Sequence, residues 1–454
     1  MSPNLTDLEH KSYDIENLGL VPGIQSLPQG AIEAANRLLQ KNHDEHHMFW
    51  RDFAGHNHAA HNVLTRLALG ADTSALELGF LSNVELGQRP PPPTDENVIA
   101  ELATEEGFQK YLSDVKHYAN YLVFFEREID AKGFREVIQE YCFSRTKTAE
   151  AILARMFDGA FHPIIHWGLA VEFEQPSILA EALAQAATDA SFDIHIFFAN
   201  AEREAATNPT THDRPLVELF HEARANETIR NSAHWEDMQF KMKNGVLKRA
   251  EKEIAALAAQ FRVTPATLER RTAEMISCCA YFSGAAQRLG KARKIDFFYM
   301  HNVTSSIFLT VLARQDWIRV EDKVRLVEWK ARLDLVWYAT CGAPELHIEY
   351  IKNYQPTASA GWGWEELFRR ANGDYDDGHV VKFLRALKNG EQVAKPFEEG
   401  VWADAFPVKG DMWLNLSRMA YDSTLGLHQD LKWIMFPGFD QPWGKIPDAE
   451  KPGF

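Results

Sequence analysis

The six residues 56–61, with the sequence HNHAAH, hold the side chains best suited to metal chemistry. An apolar pattern that includes Leu64 and Leu67 follows at once and predicts that a helix begins here. His58 and His61 are three positions apart, so on a helix their imidazoles lie on one face, one turn apart. Two such rings suit one metal ion. The alternative is a structural histidine cluster at a helix start, in which every buried ring nitrogen has a hydrogen-bond partner.

A second histidine pair lies about a hundred residues further along the chain. His162 and His166 are four positions apart, and Pro163 fits the first turn of a helix, so both rings are predicted on one helical face. A third element is His301, the lone histidine of an apolar and aromatic helix predicted over 297–313. The alternative for His301 is a core histidine whose nitrogens are satisfied by hydrogen bonds.

A fourth element combines a histidine with a lysine in front of an apolar run. Asp376 or Asp377 can cap a helix on which His379 and Lys382 share a face. A lysine on a buried face is costly unless it is paired or neutral. The alternatives are an ion pair with a carboxylate, or an aliphatic stem that extends to water.

Other metal-site patterns fit this sequence less well. A ferritin-like di-iron site needs Glu-x-x-His on two helices, and the chain has it once, at Glu218–His221. The spacing His-x-Glu of a facial triad begins at His43, His234 and His347, but the chain shows too little alternation for the β-barrel that usually carries it. The HExxH motif is absent.

Nucleotide and nucleic-acid chemistry is disfavoured. The only GxG pair is Gly361-Trp-Gly363, so there is no dinucleotide fingerprint, and a tightly bound flavin is not expected. GxSxG and Walker motifs are also absent. The net charge of −16 argues against a phosphate-backbone partner.

Targeting signals are not expected either. The N-terminus has no basic and apolar leader pattern, and no run of 18 apolar residues exists, so we expect no signal peptide and no membrane partner. The four cysteines form no CxxC pair, which is typical of reduced thiols and predicts a cytoplasmic protein.

The helical periodicity predicts a mostly α fold in one large domain spanning 1–454, with two lobes as an open alternative. Three parts are expected to be irregular, namely the N-terminal arm 1–28, a Pro-rich loop 71–98 and the C-terminal tail 396–454. Helices are predicted at 29–41, 111–131, 134–157, 178–188, from 244, 266–289, 297–313, 321–340 and 378–387. The remaining histidines are interpreted mostly as surface or local hydrogen-bonding residues, namely His10, His43, His46, His117, His195, His212, His221, His234, His347 and His428.

Together these motifs resemble the questin oxidase-like family of fungal secondary metabolism, over about residues 38–387. The motifs that carry the resemblance are His56-Asn57-His58-x-x-His61 leading to Leu69-Gly70-Ala71, Tyr121-x-x-Phe124-Phe125 with Gly133, His162-Pro163-x-x-His166-x-Gly168-x-Ala170-x-Glu172-Phe173, Met300-His301-x-Val303-x-Ser305-Ser306 and Gly378-His379-x-x-Lys382-x-x-Arg385-Ala386-Leu387. Asn62 and Thr304 depart from the pattern, where a second consecutive histidine and an asparagine are expected.

The resemblance implies an O₂-dependent ring opening of an anthraquinone, such as questin or a related emodin derivative, to a benzophenone. It implies a Baeyer–Villiger-type oxidase without the usual flavin fold, a mononuclear non-heme iron held by several histidines, and a carbamate of Lys382 as a further ligand. The small aromatic polyketide is the expected partner. The oligomeric state and the source of electrons, whether NADPH, the substrate or a partner reductase, stay open.

On this basis Fe(II) is expected to be held by four histidines drawn from His58, His61, His162, His166 and His301, with carbamylated Lys382. His56 and His379 are expected to act beside the metal, orienting ligands or moving protons to the substrate. A flat aromatic pocket or, alternatively, ordinary core packing is expected for Phe197, Phe198, Trp362 and Trp364.

Two other functions remain open at this point. One is a metal-free NADPH-dependent monooxygenase in which the histidines act as acids and bases. The other is a non-catalytic helical protein that binds a pathway intermediate, although such a role needs no histidine constellation.

Overall fold

A computed structural model describes residues 13, 15–16, 18–21, 23, 27–52, 55–207 and 214–449. The first helices are α1 Ala31–Glu45, α2 Ala59–Ala68, α3 Thr73–Val84, α4 Glu96–Glu101, α5 Glu105–Lys110, α6 Tyr118–Lys132, α7 Phe134–Ile138 and α8 Lys147–Arg155. The middle of the chain forms α9 His162–Phe173, α10 Pro176–Thr188, α11 Ile194–Thr207, α12 Leu216–Ala225, α13 Glu227–Arg230, α14 Leu247–Arg249, α15 Glu251–Ala258 and α16 Leu268–Ala285. The last helices are α17 Phe297–Ala313, α18 Val320–Thr340, α19 Glu349–Lys352, α20 Trp364–Gly373, α21 His379–Ala394, α22 Met412–Thr424 and α23 Gln429–Lys432.

Short helical turns of other types join these helices. The 3₁₀ turns are Val115–His117, Gly159–Phe161, Trp235–Phe240, Pro265–Thr267, Lys395–Phe397, Gly400–Ala405 and Gln441–Lys445. Two segments are π-helical: Gln139–Phe143 continues α7, and Lys241–Val246 joins a 3₁₀ turn to α14. Extended pairing in the described part of the chain is limited to three isolated bridges, Phe49–His56, Lys291–Asp448 and Asp296–Ile434. The mostly α-helical fold predicted from the sequence is therefore confirmed.

Four helices form a closed circuit at the centre of the molecule. α2 packs on α9, α9 on α17, α17 on α21, and α21 on α2. α9 and α17 are buried almost all round, because their sequences are apolar on every side. Gly168 lets α9 approach α17 closely, since a Cβ on this residue would lie 2.2 Å from the ring of Phe308. A buried ion pair between Glu172 of α9 and Arg385 of α21 ties two members of the circuit together.

The prediction of a Pro-rich loop over 71–98 is wrong for much of this range, because α3 occupies Thr73–Val84 and α4 begins at Glu96. Asp72 caps α3 by accepting the backbone N–H of Ala75 at 2.9 Å, and α3 then runs for 12 residues. An N-cap followed by apolar residues favours a helix, and α3 forms there. The stretch around the four prolines is non-helical, because proline cannot continue a helix.

The predicted irregular tail 396–454 also needs correction. It contains α22 and α23, and Trp413 of α22 is completely buried. The predicted irregular arm 1–28 falls mostly outside the described residues, and the described ones among them are non-helical. Hydrophobic side chains from Tyr13 to Phe436 belong to one continuous core. No described helix combines the length and apolar character that a membrane crossing requires.

Candidate metal centre

Each helix of the central circuit contributes one histidine to a buried group. His58 stands directly before α2, His162 begins α9, His301 lies in the second turn of α17, and His379 begins α21. One ring nitrogen from each of the four lies within 4.8 Å of the other three. All four side chains are buried, with at most 3% of any residue exposed. We call these residues the four-histidine group.

The backbone before α9 is shaped to place His162. Gly159, Ala160 and Phe161 all have positive φ angles of 52–66°, which turn the chain sharply into the helix. A Cβ on Gly159 would lie 2.1 Å from the carboxylate of Asp189, so only glycine fits this approach. The turn brings the Gly159 carbonyl to 2.5 Å from Nδ1 of His162, which therefore donates to it.

Hydrogen bonds fix the tautomer of three rings in the four-histidine group. Nδ1 of His162 donates to a carbonyl, and so does Nδ1 of His301, which lies 2.7 Å from the carbonyl of Phe297. Nδ1 of His379 donates to the carboxylate of Asp377, with both oxygens 2.8 Å away. Since a neutral imidazole has one N–H, Nε2 of each ring carries a lone pair. The helices thus direct three unprotonated nitrogens into one small space.

Two of these lone pairs, on His301 and His379, meet without a proton between them. Nε2 of His301 lies 3.2 Å from Nε2 of His379, and Nε2 of His58 lies 2.7 Å from Nε2 of His162. Burial lowers the pKa of His58, His162 and His301 well below 6.5, so protonating these rings to bridge the facing nitrogens is unfavourable. A metal cation accepts all four nitrogens at once, and imidazole nitrogen is a good ligand for iron. The residues present therefore fit a metal ion.

Lys382 lies one turn beyond His379 on α21 and is 5% exposed. Its Nζ has no hydrogen-bond partner within the described structure. Burial lowers its pKa to about 8, although Asp377 and Asp376 act in the opposite direction. A substantial neutral fraction therefore exists near pH 7.5, and the neutral amine is the form that reacts with CO₂. An ion pair, the structural alternative for Lys382, is not formed among the described residues.

His56 supports the group from outside. Its Nε2 lies 2.7 Å from a carboxylate oxygen of Asp189, and its ring stacks on His162 with centroids 4.1 Å apart. Trp50, Phe297 and Trp433 contribute further ring contacts to the group. Their centroids lie 5.8 Å from His58, 4.5 Å from His301 and 6.3 Å from His379, respectively.

His61 and His166 form a separate pair beside the group. Nε2 of His61 lies 3.0 Å from Nδ1 of His166, and Nε2 of His166 lies 2.6 Å from Glu181. Glu181 also contacts Nδ1 of His43 at 2.7 Å, and Nε2 of His43 contacts Glu126 at 2.9 Å. A carboxylate, Glu181, thus contacts this pair directly, whereas among the described residues the four-histidine group has a carboxylate behind His379 alone.

The predicted ligand candidates thus divide in two. The structure brings His58, His162 and His301 together and sets His61 and His166 apart. His379, expected beside the metal, instead directs Nε2 into the group because Asp377 holds its other nitrogen. The Asp-Gly-His sequence before α21 was the available signal for this. The carboxylates Glu126, Glu181 and Asp189 were not singled out, because each is distant in sequence from the ring that it contacts.

The predicted pocket aromatics and Asn62 make packing and hydrogen-bond contacts away from the four-histidine group. Phe198 stacks on Trp329 at 4.1 Å, and Trp364 donates to Glu391 at 3.0 Å. Asn62 donates to the carbonyls of Gly79 and Asp376, each at 2.9 Å, and so ties α2 to the loop that precedes His379. None of the predicted pocket aromatics, Phe197, Phe198, Trp362 and Trp364, has a ring contact with the four-histidine group in the described chain. His10 and His212 lie outside the described residues.

Comparison with known proteins places these features in context. The sequence model of the questin oxidase-like family matches residues 55–387. A Baeyer-Villiger monooxygenase of Cryptosporiopsis sp. is 52% identical over 440 residues, which cover 96% of this chain and 98% of the relative. The questin oxidase of Aspergillus fumigatus is 49% identical over 434 residues, covering 95% of this chain and 97% of the relative. The questin oxidase of Aspergillus terreus is 48% identical over 428 residues, covering 94% and 95%.

Proposed function

The chain belongs to the questin oxidase-like family of oxidoreductases, and from this premise we propose that it opens the central ring of an anthraquinone with O₂. The substrate class is questin or a related emodin derivative, and the product is a benzophenone. The reaction takes place at a mononuclear iron bound by His58, His162, His301 and His379, with carbamylated Lys382 as a further ligand. The observation that carries the proposal is the convergence of four ring nitrogens in one buried space.

The donor set suits Fe(II). Four neutral imidazoles bring no charge of their own, and a carbamate on Lys382 adds one anionic oxygen donor. Iron bound there supplies the redox chemistry by which O₂ is activated and the electrophilic charge that polarises a keto or hydroxyl oxygen of the quinone. Burial of the group excludes bulk water, which strengthens every electrostatic interaction inside it.

The protein's own residues hold this centre in one arrangement. The carbonyls of Gly159 and Phe297 and the carboxylate of Asp377 keep three rings in the tautomer that offers Nε2 to a metal. α21 fixes His379 and Lys382 relative to each other, because both lie in its first turn. His56, held by Asp189 and stacked on His162, fixes that ring from the opposite side.

Isotope labelling tests the reaction. Questin is incubated with the enzyme under ¹⁸O₂, with and without NADPH. The products are separated, and their masses are measured by mass spectrometry. We expect a ring-opened benzophenone that carries ¹⁸O, lost on chelation and restored by Fe(II). Insertion of one oxygen atom requires two electrons to reduce the other atom to water. The ratio of product to O₂ and NADPH consumed therefore identifies the electron source.

Two outcomes would overturn the proposal in different ways. Full turnover after chelation, dependent on NADPH, would identify a metal-free monooxygenase. Tight binding of questin with no oxygen uptake, even with Fe(II) and NADPH supplied, would identify a non-catalytic binding protein.

A further inference from the structure

A continuous chain of hydrogen bonds runs away from the four-histidine group. It passes from His61 to His166, then to Glu181, His43 and Glu126, with successive distances of 3.0, 2.6, 2.7 and 2.9 Å. The residues come from α2, α9, α10, α1 and α6, so no single helix accounts for the alignment. We call this chain the His–Glu array.

The His–Glu array leads from the core toward solvent. The inner residue His61 is completely buried and His166 is 1% exposed. Side-chain exposure then rises from 3% at Glu181 to 12% at His43 and 20% at Glu126. At its inner end, the His61 ring lies 5.8 Å from that of His58, between centroids, and is hydrogen-bonded only to His166 within the described structure. The array therefore connects the edge of the metal centre with the surface.

The carboxylate of Glu181 sets the direction of every hydrogen bond inward of it. A carboxylate only accepts, so Nε2 of His166 donates to it and Nδ1 of His166 carries a lone pair. Nε2 of His61 must then donate to that lone pair. This leaves Nδ1 of His61 as a lone pair, and that buried atom has no partner among the described residues. The array thus ends, next to the metal centre, in a free proton acceptor.

The outer half of the array is charged. Burial would raise the pKa of Glu181, but hydrogen bonds from His166 and His43 outweigh burial and lower it to about 2. Burial would lower the pKa of His43, but its bonds to Glu126 and Glu181 raise it to about 10. Tyr13 also donates to Glu181, at 3.2 Å. Glu181 is therefore a carboxylate and His43 an imidazolium at neutral pH.

We propose that the His–Glu array takes up a proton from the reacting centre in one step of turnover and returns it in a later step, releasing a compensating proton at the surface. The proposal rests on the proposed function, because it serves a reaction of a phenolic substrate with O₂. His61 is the inner terminus, and His43 with Glu126 is the outer one.

The transfers balance in protons and charge. A hydroxyl of the substrate or a water gives its proton to Nδ1 of His61, whose Nε2 proton moves to Nδ1 of His166. The Nε2 proton of His166 moves to Glu181, which becomes a neutral acid. His43 then gives its Nε2 proton to Glu126 and on to water, so the net charge of the array is unchanged. The reverse transfers restore the starting state.

Matched carboxylate variants test the outer end. Glu126→Gln removes the exit. Glu128 lies on the same helix and its side chain is equally exposed, but among the described residues its hydrogen-bond partners are Lys132 and Tyr141, so Glu128→Gln is the matched control. We expect Glu126→Gln, and His43→Gln beside it, to lower kcat at least about tenfold, within the range of proton-transfer catalysis. KM and bound iron should stay unchanged, the solvent isotope effect should rise, and added imidazole should restore part of the rate for His43→Gln. Glu128→Gln should behave as wild type.

Equal kcat values and isotope effects in all variants would overturn the proposal. A fall in kcat without rescue or a change in isotope effect would show a structural salt-bridge network instead.

Nuclear magnetic resonance gives a readout independent of activity. In chelator-treated protein with ¹⁵N-labelled histidine, His43 should be doubly protonated at pH 8, and His166 should be protonated at Nε2 alone. Glu181→Gln should remove the imidazolium signal. A neutral His43 at pH 8 would contradict the array. If the wild type consumed no oxygen, the proposed function would fall, and this spectrum would still decide the array by itself.

Discussion

Two histidine pairs join the same two helices, yet they have different surroundings. Where α2 and α9 begin, His58 faces His162 with 2.7 Å between their nitrogens. One turn further along, His61 faces His166 at 3.0 Å. The first pair opens onto His301 and His379, whose nitrogens bear lone pairs. The second pair opens onto Glu181, which accepts a hydrogen bond from His166.

The difference shows that spacing alone does not make a ligand. The two pairs are one helical turn apart, since His61 lies three positions after His58 and His166 four positions after His162, and all four rings are buried. What separates the pairs is the partner behind the α9 ring of each, since Nδ1 of His58 and Nδ1 of His61 both have no partner among the described residues. The Gly159 carbonyl accepts from Nδ1 of His162 and leaves its Nε2 lone pair directed at the centre. The Glu181 carboxylate accepts from Nε2 of His166 and leaves its Nδ1 lone pair directed at His61. This difference is why we propose metal binding for the first pair and proton transfer for the second.

The largest effect is expected from removing one ring of the four-histidine group. His301→Ala should lower bound iron more than about 100-fold and abolish turnover, because losing a residue that binds the metal directly costs more affinity than losing a residue that supports a ligand. His166→Ala should keep its iron. Elemental analysis of both purified variants makes the comparison. Full iron and full rate in His301→Ala would remove that residue from the site, and loss of iron in both variants would erase the distinction between the pairs.

A smaller loss is expected from Lys382→Ala, about 100-fold in iron affinity. Small carboxylates such as formate or acetate should restore part of the occupancy by supplying the missing anionic oxygen. Lys388→Ala, on the same helix but paired with Glu391, is the matched control and should be neutral. Unchanged occupancy and activity in Lys382→Ala would refute the carbamate.

Substituting the carboxylates behind each region sharpens the comparison further. Asp377→Asn should weaken iron binding about tenfold, because the amide holds Nδ1 of His379 less firmly than the carboxylate does. Glu181→Gln should leave iron affinity unchanged, since Glu181 serves the second pair. Titration of chelator-treated proteins with Fe(II) measures both. Equal weakening by the two substitutions would show that one network supports both regions.

How much of this could be read from the sequence depends on distance along the chain. Helical spacing predicted His58 and His61 one turn apart, and likewise His162 and His166, and α17 was predicted with its observed bounds. The sequence could not separate metal ligands from proton carriers, because that depends on Glu181 and Asp377. His43 is an exception to the interpretation made for most of the remaining histidines, since its hydrogen-bond partners are 83 and 138 positions away. α3 was missed because the nearby prolines dominated the pattern.

The smallest expected effect is on the stability of metal-free protein, to which the four-histidine group and the His–Glu array should contribute with opposite pH dependence. Burial lowers the pKa of His58, His162 and His301, so their contribution to stability is lost as pH falls below 6.5. Each such group contributes at most about 1.4 kcal/mol per pH unit. The raised pKa of His43 acts in reverse, because its contribution is complete below 6.5 and is lost as pH rises toward about 10.

Thermal unfolding from pH 5 to 10 measures both limbs. His301→Asn should flatten only the acid limb, and His43→Gln only the alkaline limb. A single variant that flattens both limbs would show that the regions titrate together.

The most direct test of the central claim is elemental analysis of protein purified without a metal-affinity tag, combined with oxygen uptake in the presence of questin. We predict about one iron per chain, with oxygen uptake that stops on chelation and returns with Fe(II). Protein that contains no metal, and whose oxygen uptake is the same before and after chelation and on addition of Fe(II), would contradict the assignment of the four-histidine group as an iron centre.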